Sequence, residues 1–123
     1  MKHALTVALF SLFAAVPAHS YEVETTTGVI CNTSRQVEEL IAFNEEQPQA
    51  AIQNVNIEER DPTACGQANV EFVRGRTMDT VRTNKATFAV VKILVIGVVT
   101  RHGVQPVTPA AYFSLFEINE RLV

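Results

Sequence analysis

The stretch ATFAVVKILVIGVVT, residues 86–100, decides the fold. It is apolar on both alternating faces, with Lys92 its single charge, and its wealth of β-branched side chains favours strand over helix. Gly97 marks a bend, so the segment reads as one long central strand bent there, or as two shorter ones.

The flanking segments continue the β pattern. Upstream, Ala68, Val70 and Phe72 alternate with Asn69, Glu71 and Val73, the mark of a strand with one buried face. Arg74-Gly75-Arg76 reads as a turn, Thr77 to Thr83 as a further strand, and Thr83-Asn84-Lys85 as another turn. Downstream, Arg101-His102-Gly103 reverses the chain. Val104 to Pro109 carries two prolines and is expected as an edge or an extended linker, and Tyr112 to Ile118 as the last strand.

The period changes toward the N-terminus. Glu22 to Cys31 is rich in β-branched residues and reads as a strand with a bend or bulge at Gly28. Thr33 and Gln36 stand at capping-box spacing, and Val37, Leu40 and Ile41 form an apolar stripe, so a helix is predicted from about Ser34 to Glu46. Pro48 is placed to begin a second helix, which Ala51, Ile52 and Val55 carry to Glu59. Asp61-Pro62-Thr63 then turns the chain into Cys65-Gly66. The class expected is α+β, a small antiparallel sheet curled toward an SH3-like barrel with a two-helix insertion after the first strand.

Residues 1–20 read as a secretory signal. Lys2 precedes an apolar run from Ala4 to Val16, and Ala18-His19-Ser20 supplies small residues before Tyr21. The run is shorter than the roughly 20 residues a membrane span needs, so no span is expected after cleavage. Residues 21–123 suit a single small domain. Two cysteines in an exported chain predict a Cys31–Cys65 disulfide, which would staple the base of the helical excursion to the sheet.

Charge is unevenly divided. Residues 21–61 hold nine acidic and two basic side chains, residues 62–123 four acidic and seven basic. Such a two-ended molecule can orient a charged partner, but an acidic, exported chain with no basic stripe of stacking aromatics argues against nucleic acid.

The segments GVICNTSRQVEEL, AIQNVNIEERDPTACG, VEFVRG and YFSLFEINER resemble a family of small exported bacterial proteins to which no activity is assigned. The spacing of the two Cys blocks is the most specific feature. The resemblance implies bacterial export and a shared fold, and brings no ligand or catalytic residue.

Candidate chemistry is sparse. Arg101-His102-Gly103 resembles the R-H-G-x-R-x-P signature of the histidine phosphatases, in which the imidazole attacks phosphorus. Here Gln105 replaces the second arginine, Pro106 comes one position early, and no histidine follows His102, so the cations that must converge on a phosphoryl group are missing. Cys31 at a helix start has the setting of an activated thiolate, but the disulfide accounts for both cysteines at once. Glu38-Glu39, Glu45-Glu46 and Glu58-Glu59 are adjacent on helices and do not face one another. Asn32-Thr33-Ser34 fits a glycosylation sequon that helix capping explains more simply. No clustered metal ligands and no cofactor motif occur.

The best lead is the basic set Arg74, Arg76, Arg82 and Lys85 around one hairpin, suited to a carboxylate-bearing peptide or an acidic cell-wall polymer. The expected function is a non-enzymatic binding module for a protein, peptide or cell-wall ligand. The alternative is a hydrolase inhibitor presenting a rigid loop such as Arg101 to Pro109. The apolar strand at Ala86 to Thr100 would pair with a second chain if its edge were uncovered.

Overall fold

The computed structural model describes residues 21–43 and 46–118; the expected signal segment, Glu45 and residues 119–123 lie outside them. The elements are β1 (Val23–Cys31), α1 (Ser34–Phe43), α2 (Pro48–Glu59), β2 (Cys65–Arg82), β3 (Thr87–Thr100) and β4 (Gly103–Ile118). The protein is thus a small α+β domain in which two helices sit on a four-stranded antiparallel sheet.

Neighbouring strands pair in chain order. β1 joins β2, β2 joins β3 and β3 joins β4, and β4 returns to β1 through Ile30↔Ser114 and Cys31↔Phe113. That return seam is short. The Ser114 hydroxyl reinforces it by donating to the Val29 carbonyl at 2.7 Å.

Strand alternation sorts the apolar residues onto two faces. Ala89, Val91, Ile93 and Val95 of β3 meet Val70 and Phe72 of β2 in one cluster, where Phe72 stacks on Phe116 with centroids 6.0 Å apart. Val90 points the other way, into a cluster with Val37, Leu40 and Ile41 of α1 and Ala51 and Val55 of α2. The helices cover the sheet only around Val90, and Lys92 and Leu94 farther along β3 are exposed.

The helix ends are fixed by side-chain chemistry. The Gln36 amide N–H donates to the Thr33 hydroxyl at 3.2 Å while the Thr33 N–H donates to Gln36 Oε1 at 3.1 Å, a reciprocal capping box. Pro48 opens α2, and Arg60, left-handed at φ 54°, closes it. Asn56 then ties α2 to the sheet. Its side-chain amide donates to the carbonyls of Pro62 (3.0 Å) and Cys65 (3.1 Å), and its Oδ1 accepts the Cys65 N–H at 2.9 Å.

Several expectations need correction. Arg74-Gly75-Arg76 is no turn: β2 runs through it as one strand, with register shifts on either side of Thr77. Gly75 is there because the β3 backbone passes close by, and a Cβ would lie 2.8 Å from the Lys92 carbonyl oxygen. Gly28 carries no bulge, since β1 pairs with β2 in unbroken register from Val23 to Cys31. The predicted bend in the long apolar strand is a bulge at Ile96, beside Gly97. Of the two readings of Val104 to Pro109, edge or linker, the structure has the edge: it is the start of β4, with Pro106 paired to β3 on one side only and Pro109 in a register shift that leaves it out of the ladder. β3 is paired on both sides over most of its length; among the described residues β4 has an open edge from Gly103 to Tyr112 and β2 has one from Arg74 to Arg82, beyond its pairing with β1. α1 ends at Phe43, short of the expected Glu46.

Candidate functional site

The ring is incompletely paired, and one of its open edges is the first part of β4. β1 pairs with β4 only as far as Cys31↔Phe113, and beyond it the chain turns away at Asn32. There the Asn32 N–H donates to the Ala64 carbonyl at 2.9 Å and its side-chain amide to the Thr63 carbonyl at 3.3 Å. β4 continues for ten residues past this point, Gly103 to Tyr112, with β3 as its only partner among the described residues.

A cleft of about 530 Å³ occupies the position that β1 gives up. One wall is β4, from Val107 to Tyr112, and the other is the Pro62–Ala68 segment; Val70, Val95 and Val98 form the floor. Val98 and Val107 are each 39% exposed, high for valines on the inward face of a sheet. No Asp, Glu, Lys, Arg or His lines the cleft. What it offers is apolar burial, with the side chains of Asn32, Thr63, Gln67, Thr108 and Tyr112 as hydrogen-bonding groups.

The residues singled out in the sequence lie elsewhere. Arg74 is engaged within the fold: its guanidinium meets Glu24 through two bonds of 2.9 and 3.2 Å and lies 3.8 Å above the Phe116 ring. Arg82 is eight residues farther along β2, roughly 25 Å of strand, and Lys85 lies in the following turn, so the four cations do not converge on one point. Arg101 and His102 occupy the exposed turn between β3 and β4, where the Thr100 hydroxyl accepts the His102 N–H at 3.2 Å. Cys31 and Cys65 face each other across β1 and β2 and are joined by a disulfide.

Of the glutamate doublets, Glu38 and Glu39 on α1 turn to different partners, and Glu45 lies outside the described residues. Glu38 turns toward Asp79 of β2; a hydrogen bond from that carboxyl raises its pKa, and burial and the Asp79 charge add to the effect. Glu39 lies between Arg35 and Glu59. Burial raises its pKa first, with the hydrogen bond and charge of Glu59 adding. Glu59 is held below its ordinary value, chiefly by the Gln36 side-chain amide donating to it at 3.1 Å, with the Arg35 cation 3.2 Å away assisting. Glu59 thereby fastens α2 to Arg35 and Gln36 of α1.

The chain matches no family model, no curated protein and no solved structure. Of the cleft residues, Val107 falls within the Arg101–Pro109 segment that the sequence offered as an inhibitory loop, whereas Gly66, Val98, Ala110 and Tyr112 read there only as structure. The signal that marks them is the absence of charge from Gly103 to Tyr112 beside two prolines, a pattern of an unpaired edge. Among the described residues, no three metal-ligating side chains come together and no helix is long and apolar enough to cross a membrane.

Proposed function

We propose that the protein is an exported, non-enzymatic binding module that holds an uncharged peptide segment in the cleft beside β4. The observation that carries this reading is the cleft lining, largely apolar and without a charged side chain. A charged ligand would leave its charge desolvated and unpaired there, whereas an apolar segment gains from burial. An acidic cell-wall polymer finds no counter-charge in the cleft, so peptide is preferred over polymer. In this reading the strand ring is a small SH3-like barrel opened on one side, and the disulfide suits export into an oxidising compartment.

The test is a peptide array probed with residues 21–123, alongside purified cell-wall sacculi. Enrichment of apolar peptides by the native chain, and its loss in Val98→Asp, is the expected result. Retention on sacculi that Val98→Asp leaves intact and that Arg76→Glu abolishes would replace the cleft with the basic strand as the binding surface.

A further inference from the structure

The way the ring stops short of full closure says more about the occupant, given that the cleft is the binding site. We propose that the peptide enters as an added β-strand, collinear with β1 and antiparallel to β4, extending the β1–β4 ladder beyond Cys31↔Phe113.

The established ladder sets direction and register. β1 is antiparallel to β4, and their last pair before the cleft is Cys31↔Phe113. A strand continuing the line of β1 meets Tyr112 first, then Ala111 and Ala110. The Pro62–Ala68 segment forms the opposite wall of the cleft.

The prolines fix how far pairing can run. Pro106 and Pro109 have no N–H to offer, and in a strand already paired with β3 only alternate N–H groups face the other side, so donors toward the cleft come from alternate members of the run Ala110 to Tyr112, with Val107 and Thr108 lying in the bulge. Continuous pairing is therefore expected over Ala110–Tyr112 and broken at Pro109. Val107 to Pro109 bulge out of the β3 ladder, three residues standing against Ile96 alone between Gly97↔Pro106 and Val95↔Ala110, so the regular part of this wall is Ala110–Tyr112, about 10 Å of strand matched by about three residues of extended peptide. Alternate side chains of such a strand point inward over Val70, Val95 and Val98 and must be apolar; those between them face solvent and are unrestricted.

Gly66 supplies an independent handle. Its Cβ position meets no atom within 4 Å, and Gly66 lines the cleft, so a larger side chain there projects into the space without disturbing the fold.

The probe is a short peptide of alternating valine and threonine flanked by lysines, titrated into residues 21–123, with an analogue N-methylated at alternate residues. The expected results are binding by the plain peptide, weakening by about tenfold or more on N-methylation, and slowed hydrogen exchange between Ala110 and Tyr112. Gly66→Leu should abolish binding while keeping the native thermal transition. Binding that requires an open cleft but ignores N-methylation and leaves those amides unprotected would overturn strand addition while the cleft reading stands. Failure of both this peptide and the array to bind would remove both. A dimer that Val98→Asp dissociates would place a second copy in the cleft and overturn the proposal of a separate peptide partner.

Discussion

Opening the Cys31–Cys65 bond while leaving both thiols in place removes the cross-link without creating a cavity. The bond closes a loop of 34 residues that contains both helices. Chain-entropy arithmetic for a loop of that length gives about 3.8 kcal/mol of stabilisation at 25 °C. For a domain near this size, that corresponds to a fall in Tm of roughly 15–30 °C. Both sulfurs are buried, so reduction is carried out in denaturant and the thiol protein is refolded before measurement. Guanidinium titrations of the oxidised and reduced forms, read by circular dichroism, supply the difference. The nine unbroken β1–β2 pairs should survive, because they do not depend on the cross-link for register. A loss below about 1 kcal/mol would refute the reasoning, since the loop would then be closed in the unfolded chain by other contacts.

Asn56→Ala strands the Cys65 N–H and two carbonyls at the α2–β2 junction and should cost about 1–3 kcal/mol in chemical denaturation. The two glycines of β2 should respond oppositely. Gly66→Ala adds a methyl into open space and should stabilise by about 0.4–1 kcal/mol, whereas Gly75→Ala meets the Lys92 carbonyl and should destabilise by about 1–3 kcal/mol. Glu38→Gln tests the carboxyl pair with Asp79. With its pKa raised in the folded state, Glu38 contributes stability that is present below its unfolded value of 4.5 and lost as pH rises through the raised one. The variant should therefore be the more stable at pH 7, by less than about 1 kcal/mol at this partly exposed site, and its advantage should vanish toward pH 4. An advantage independent of pH would show that repulsion from Asp79 is not the cause.

Local chemistry made much of this fold legible. The capping box at Thr33 and Gln36, Pro48 at a helix start, and the alternation from Ala68 to Phe72 each state a backbone preference within a few residues; both helices start where expected and the alternating run is strand. Arg74-Gly75-Arg76 misled because glycine has two uses. Turn propensity and close backbone approach leave the same letter, and the deciding Lys92 carbonyl lies on another strand. The cleft was illegible for a related reason. It exists because β1 ends at Cys31 while β4, after the stagger of the ring, still has ten residues to run, and stagger is a property of pairing rather than of any one segment. Asn56 was missed likewise, its partners being backbone groups at a junction that only the folded chain assembles.

Because Cys31 and Cys65 stand opposite each other with Cα atoms 4.0 Å apart, the chain between them is a cassette hung from a finished hairpin base. Exchanging residues 32–64 for another insert leaves every β1–β2 pair in register, so length and sequence there can drift or be redesigned without rethreading the strands. What restrains the exchange is the sheet surface beneath: an insert that fails to roof Val90, Phe88 and Leu115 would turn a tolerated swap into a sticky, aggregating one.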